Sequence, residues 1–200
     1  MHNALDSRWR LAALVACAAV AFSTATSARS VSGSAHAVRA TVASPVGLNT
    51  TTLADTGSLG GPTDARDASA QTGSIPALLS GSTLHATTIG WADQVSSEAS
   101  ISGLAITLAG TTISADLVHA RAIAAAGQPG FGAASISGLA INGIPIEVSD
   151  AANQQITIPN GVIVINEQTT SAAGTVVNGL HIVVNGVADV VIASAAANAQ

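Results

Sequence analysis

The chain has 200 residues, of which 48% are hydrophobic but only 2% aromatic and 8% charged. Its apolar residues are therefore mostly Ala, Val, Ile and Leu, whose small or β-branched side chains favour β-sheets over a helical bundle. The six basic residues are all Arg, scattered among eleven acidic residues. This balance excludes the basic surface of a nucleic-acid-binding protein and disfavours electrostatic attraction to anionic lipid.

The first 28 residues have the three parts of a cleavable signal peptide. Arg8 and Arg10 form a charged start, an apolar run follows, and small residues precede a cleavage site after Ala28. The apolar run is shorter than the roughly 20 residues that a membrane-spanning helix needs. We therefore predict an exported protein whose mature chain begins at Arg29 and contains no transmembrane segment.

The only cysteine, Cys17, lies in this leader. Residues 14–17 superficially match a lipoprotein box, in which the cysteine is lipidated and becomes the first residue of the mature protein. However, Arg10 lies too close upstream of the box, and the apolar run continues past it to Phe22. The sequence thus favours removal of Cys17 with the leader over its lipidation. In either case the mature domain has no internal disulfide.

The mature chain is predicted to form one β domain that carries a loop-rich insertion. Residues 29–43 are predicted to supply an N-terminal strand, at 35–42, that pairs with the later sheet. Residues 44–75 are punctuated by Gly, Pro, Asp and Thr without a sustained period, which predicts turns and loop. Residues 76–200 form the repeat-built β core, in one domain with 29–43.

Within this core an eight-residue segment recurs. The sequence ASISGLAI occupies residues 99–106 and again residues 134–141, and residues 177–182 form a weaker third copy. Each copy is followed by a Gly-containing turn, which is a β-hairpin signature. These turns lie at Gly110, Asn142-Gly143 and Gly186.

Helix competes with strand only at residues 117–126, which are rich in Ala, but their alignment with residues 190–197 favours a strand. We therefore predict an all-β fold, an antiparallel β-sandwich built from repeated hairpins. The alternative is a β-solenoid, because imperfect repeats of this size also stack in that way.

Four apolar segments together resemble the choice-of-anchor P family of exported bacterial proteins. The resemblance covers roughly residues 33–197 and implies a surface or secreted module of unassigned molecular activity, which members attach to the envelope by differing C-terminal devices. It implies no catalytic residues. The last residues of this sequence contain no sorting motif, so we do not expect wall attachment by a C-terminal sorting route. The segments that carry the resemblance are residues 113–118, 165–168, 178–182 and 188–195.

No close pairing of metal-ligating residues is visible in the sequence. The histidines of the mature chain are widely scattered, and the acidic residues show no calcium-loop pattern. We therefore predict neither a metal site nor a cofactor. These histidines are His36, His85, His119 and His181.

Candidate catalytic residues carry little motif support. Glu167 follows a strongly apolar strand and would need a second acid, nominally Asp189 or Asp116, to act as a glycosidase. A cryptic Ser/His/Asp site built on His119 or His181 is also open, because triads assemble in space. The structural interpretation is favoured, in which Glu167 lies exposed at a strand end and its neighbours make turn or cross-strand hydrogen bonds.

Trp91 is the only Trp after the leader. It could serve as a platform for stacking on a sugar or as a core residue. A lone Trp among small residues more often packs in the core or at an edge, so packing is the favoured interpretation.

The leading hypothesis is an exported, secreted or envelope-associated β module that acts by interaction or as a structural element, without catalysis. A cell-wall polymer or a surface protein is the expected kind of partner, and self-association through exposed sheet edges is a further possibility. The rival hypothesis is a secreted hydrolase that uses Glu167 with a second acid, or a cryptic serine triad.

Overall fold

The computed structural model of the protein describes residues 30–172 and 174–200. These residues form thirteen β-strands and no helix, so none of them belongs to a helix that could cross a membrane. The predicted signal peptide, with Cys17 and the cleavage site before Arg29, lies outside the described residues. The strands are β1 (Val31–Ser44), β2 (Gly47–Asp55), β3 (Ala65–Ile75), β4 (Leu79–Gly90), β5 (Gln94–Leu108), β6 (Thr111–Ala125), β7 (Phe131–Ser137), β8 (Ala140–Ile141), β9 (Ile144–Pro145), β10 (Gln154–Ile158), β11 (Gly161–Thr170), β12 (Gly174–Val184) and β13 (Ala188–Ala199).

The strands form two sheets that pack face to face. Sheet A has the strand order β10-β11-β12-β13-β1-β2, and sheet B has the order β3-β4-β5-β6-β8-β9, with β7 also paired to β6. All strand pairs are antiparallel, and most join neighbours in the chain as hairpins. The predicted sandwich of hairpins is confirmed, and the described residues do not form a β-solenoid.

The predicted hairpin turns are also confirmed. The β8–β9 turn is made by Asn142 and Gly143, which both have positive φ, as the turns that match strand twist require. The β5–β6 turn uses Ala109 and Gly110 in the same way. Residues 117–125, where a helix competed, continue β6 as a strand.

The prediction of loop over residues 44–75 is wrong for two segments. β2 and β3 both lie in this range, one at an edge of each sheet. Nearly all their side chains are exposed or half-buried, so neither strand needs the apolar alternation by which buried strands are recognised. The chain crosses from sheet A to sheet B between them, in residues 56–64.

The buried face of the long strands shifts by one residue near the middle of each strand. In β5, Ile101 and Leu104 are both buried, although regular alternation would place them on opposite faces. Gly103 lies between them with a φ of +57°. Its left-handed conformation takes up one extra residue, so the same sheet face continues inward on both sides.

In sheet A this extra residue lies at the same level in five neighbouring strands. The strand pairs therefore keep one register on both sides of it. Three of the five residues have positive φ and belong to the alternate strands β11, β13 and β2. We call these five residues the offset row: Asn166, Gly179, Ala193, Ala37 and Ala54.

The recurring sequence marks this shift. In this pattern an apolar residue points into the core, and the polar residue after it points outward. Gly then occupies the extra position, and the apolar residue that follows it points into the core again. In the third copy Val177, Leu180 and Ile182 are fully buried, and a Cβ added at Gly179 would lie 2.5 Å from a methyl carbon of Val118 in the other sheet. The repeat thus places a Gly where the backbone bends and where the sheets approach closely.

Thr83 in β4 gives a direct test of the offset in sheet B. It is exposed and has a φ of +50°, a conformation that β-branched residues rarely adopt. We expect Thr83→Gly to be more stable than Thr83→Ala by roughly 1 kcal/mol, because only Gly enters this region without strain. The measurement is urea unfolding of both variants. In a regular strand the order would be reversed, and that result would contradict the assignment.

Candidate functional site

A row of polar residues crosses the outer face of sheet A, next to the offset row. Each of five adjacent strands contributes one residue, and neighbours in the row are register partners. The offset explains this alignment, since it turns the side chains outward at the same level in every strand. We call this set the polar row: Glu167, Asn178, Ser194, His36 and Asp55.

Hydrogen bonds connect one half of the polar row to His181. The Ser194 hydroxyl donates to Asn178 Oδ1 over 2.7 Å, and Asn178 Nδ2 donates to Glu167 Oε2 over 2.6 Å. His181 Nδ1 lies 2.9 Å from Glu167 Oε2, and His181 Nε2 lies 3.1 Å from Asp189 Oδ1. The imidazole is therefore held between two carboxylates.

This arrangement favours the charged forms of both central groups. Burial alone would lower the pKa of His181, but the hydrogen bonds and negative charges of Glu167 and Asp189 outweigh it and raise that pKa. Burial would raise the pKa of Glu167, but the hydrogen bonds from His181 and Asn178 outweigh it and lower that pKa. The geometry thus fits an imidazolium that donates from both ring nitrogens.

His36 lies further along the polar row in a different environment. Its side chain is only 8% exposed, and its Nε2 has no hydrogen-bond partner among the described residues. Burial and the nearby charge of Arg39 lower its pKa to about 4, against the opposing effect of Asp55. His36 is therefore neutral at neutral pH, whereas His181 is biased toward its charged form.

A shallow groove of about 410 Å³ opens beside His181. The hydroxyl oxygens of Thr41 and Thr50 lie 2.9 Å apart along it. Glu167 does not line this groove. The imidazole ring of His181 lies between Glu167 and Asp189, the two carboxylates that it contacts. The lining includes Arg39, Thr41, Thr50, Asn178, His181 and Asp189.

The structure brings together some of the residues singled out from the sequence and separates others. Glu167 and Asp189 meet through His181, whereas His119 lies in sheet B, with its Nε2 3.8 Å from Glu98 Oε2. Asp116 is also in sheet B, where its carboxylate lies against Gly138. None of the described residues forms a group of three or more His, Cys, Asp or Glu that could hold a metal ion.

The surroundings of Glu167 differ in part from the structural interpretation of the sequence. Glu167 lies inside β11 and is half-buried, so the prediction of an exposed strand end is wrong. Its neighbours make hydrogen bonds, but within β11 Gln168 Nε2 donates to Asn166 Oδ1 over 2.8 Å, which is neither a turn nor a cross-strand bond. The Gln168 amide also donates to Asn153 Oδ1 over 2.9 Å.

Sequence reasoning missed Asn178 and His181 as partners of Glu167, and Ser194 as the partner of Asn178. One signal was available in the repeat. The first two copies carry Ser and Ala at their two outward positions, whereas the third copy carries Asn178 and His181. Large polar groups replace small residues only in that copy, which marks it as the one with a network on its outer face.

Comparison with protein-family models, with curated proteins and with solved structures gives no match. The case for a function therefore depends on the geometry of the chain itself.

Glu167→Gln tests the ion pair. A Glu with a lowered pKa stabilises the fold above about pH 4.5, whereas a His with a raised pKa does so below about pH 6.5. We expect the variant to lose about 1–2 kcal/mol between these limits, and less on either side of them. The measurement is urea unfolding from pH 3 to 9 at fixed ionic strength.

Asp67→Asn is the matched control, because Asp67 and His85 form an Asp–His pair with side chains 61% and 46% exposed. Solvent screens such a pair, so its removal should change the stability by less than about 0.5 kcal/mol. A pH-independent loss in Glu167→Gln would contradict the charged assignment.

His36 should titrate far below an ordinary histidine. Its pKa is about 4 in the folded state and about 6.5 in the unfolded chain. Between these two pH values the unfolded chain binds a proton on His36 and the folded chain does not. Stability should therefore fall by up to about 3 kcal/mol as the pH drops through this range. NMR titration of the imidazole reports the pKa directly, and His36→Phe should remove this part of the acid sensitivity. A midpoint near 6.5 would contradict the prediction.

Proposed function

We propose that the chain is an exported, envelope-associated β module that acts by interaction or as a structural element and not by catalysis. The observation that carries the proposal is the imidazole of His181, whose two ring nitrogens both face carboxylates. This is the site at which the rival hypothesis places catalysis, and its geometry fits a structural ion network better than a reaction centre.

A serine triad is disfavoured by the hydrogen bonds of Ser194. A catalytic serine must give its proton to an unprotonated ring nitrogen. Here the Ser194 hydroxyl donates to Asn178 Oδ1, and both nitrogens of His181 are occupied by Glu167 and Asp189. The network therefore offers no free base to a nucleophile.

A glycosidase is disfavoured by the space between the carboxylates. Such an enzyme places the scissile bond between two carboxyl groups and keeps one of them protonated. The ring of His181 fills the space between Glu167 and Asp189, and the pKa of Glu167 is lowered. Glu167 also does not line the groove beside His181, so no pair of carboxyl groups faces a bond held there.

Export is supported by the leader and by the position of the first strand. Cleavage after Ala28 would leave every described strand in the mature chain. The amide of Ser30 donates to the carbonyl of Gln200 over 3.1 Å, and the reverse bond is 2.9 Å long. The resemblance to the choice-of-anchor P family, whose members are exported, is a further reason for this proposal.

The test is the intact mass and the compartment of the native protein, after the medium, wall and membrane fractions are separated. We expect a species that begins at Arg29 in the wall fraction. The same mass free in the medium would contradict envelope association but support export. An uncleaved cytoplasmic chain would contradict export, and a lipid-modified species beginning at Cys17 would contradict the assignment of the leader.

A further inference from the structure

The aromatic residues of the described chain are both on its surface. They are Trp91 and Phe131, with exposed fractions of 44% and 58%. Aromatic side chains bury more apolar area than any others and usually contribute strongly to a core. Here Ala, Val, Ile and Leu fill the core instead. The two exposed rings therefore call for an explanation other than packing.

Both residues lie at the same end of sheet B, Trp91 directly after β4 and Phe131 at the start of β7. Phe131 pairs with Ile123, which pairs with Ser96, which pairs with Ile89, so these four residues form one row across β7, β6, β5 and β4. Trp91 follows two residues after Ile89. The row lies on the outer face of sheet B, which points away from sheet A, because the neighbour Ser97 points inward and donates to the Ala196 carbonyl over 2.7 Å.

We call Ile89, Trp91, Ile123 and Phe131 the apolar strip. Three strand spacings of about 4.8 Å separate Ile89 from Phe131, so the strip spans roughly 14 Å. A strip of this length fits an extended oligomer of ring-shaped units better than a single small molecule.

Two mainly polar rows of residues continue the same face toward its middle. Their ionisable groups lie in pairs within the face, since Arg121 Nε lies 2.9 Å from Glu98 Oε1 and His85 Nε2 lies 2.8 Å from Asp67 Oδ2. A face whose ionic groups are already paired fits a neutral partner that offers hydroxyl groups. The rows are Asp67, Thr87, Glu98, Arg121 and Ala133, then Ser69, His85, Ser100, His119 and Ser135.

We propose that the outer face of sheet B binds a neutral polysaccharide strand. The apolar C–H faces of sugar rings pack on Trp91 and Phe131, and their hydroxyls hydrogen-bond to Glu98, Arg121 and His85. Carboxylate, guanidinium and imidazole groups are planar and together supply several hydrogen-bond donors and acceptors. Such groups can bind two neighbouring hydroxyls of a sugar. This inference rests on the proposed envelope association and names the class of partner.

A second copy of the chain fits this face less well. Ile89, Trp91 and Phe131 together expose on the order of 300 Å² of apolar surface. A stable protein interface buries about 800 Å² on each partner. Charged rows lie directly beside the strip, so a matching copy would have to desolvate them as well.

The experiment is affinity electrophoresis of the purified protein in gels that contain a neutral β-glucan, xylan or galactomannan, with pull-down on chitin and cellulose. We expect retardation by at least one of these polymers. Trp91→Ala and Phe131→Ala should each weaken binding at least tenfold. The matched control is Leu48→Ala, which removes a side chain that is 77% exposed outside the strip and should leave binding unchanged.

A second readout needs no variant. Trp91 is the only Trp in the described chain, so a change in its fluorescence on titration with the polymer reports contact at the strip. Absence of both retardation and fluorescence change with every polymer would overturn the proposal, as would binding that survives in both variants. A concentration-dependent dimer that Trp91→Ala abolishes would show that a second copy is the partner.

This experiment and the compartment assay fail independently. Polymer binding is measured on purified protein and does not depend on export. A cytoplasmic, uncleaved chain that still binds the polymer would overturn the envelope assignment alone. An exported chain that binds none of the polymers would overturn the polysaccharide assignment alone.

Discussion

The offset row is the constraint on which the rest of sheet A depends. Antiparallel strands keep one register across an extra residue when every neighbour inserts one at the same level. An insertion confined to one strand would disrupt the ladder locally and leave the extra residue unpaired. The chain meets this requirement with left-handed residues in alternate strands, including Ala54 and Ala193, at a strain of roughly 1–2 kcal/mol each. Burial of the apolar residues on both sides offsets that strain.

The same constraint places the polar network. Asn178 and His181 both point outward although three positions separate them, because the offset lies between them. Without the shift one of the two would enter the core, where an unpaired polar group costs about 1–3 kcal/mol. The backbone irregularity and the ion network are thus two aspects of one feature. Gly179 allows the sheets to approach at this level, because a Cβ in its place would clash with Val118 of the other sheet.

Sequence reasoning reached the sandwich because its signals are local. Turn residues such as Asn142-Gly143 predict a hairpin from a few adjacent positions. The many β-branched residues indicate an all-β fold. The edge strands β2 and β3 were not predicted, because exposed strands need no alternation of apolar and polar residues. The partnership of Glu167 with His181 was not predicted because the two residues are diagonal neighbours on opposite sides of the offset row. Trp91 was expected to pack in the core or at an edge; it is 44% exposed and lies outside the core, which small aliphatic residues dominate.

The central pairing of β1 with β13 joins the two ends of the described chain. Val31 is the register partner of Ala199, and β1 also carries β2 on its other side. Contacts between residues so distant in sequence form slowly, because a long loop must close before they are made. Sheet A cannot be completed until the final strand has been synthesised, so β1 must wait for its partner. Such a delay leaves sheet A incomplete until β13 has been made, so the apolar face that it turns toward sheet B stays exposed to solvent for that time.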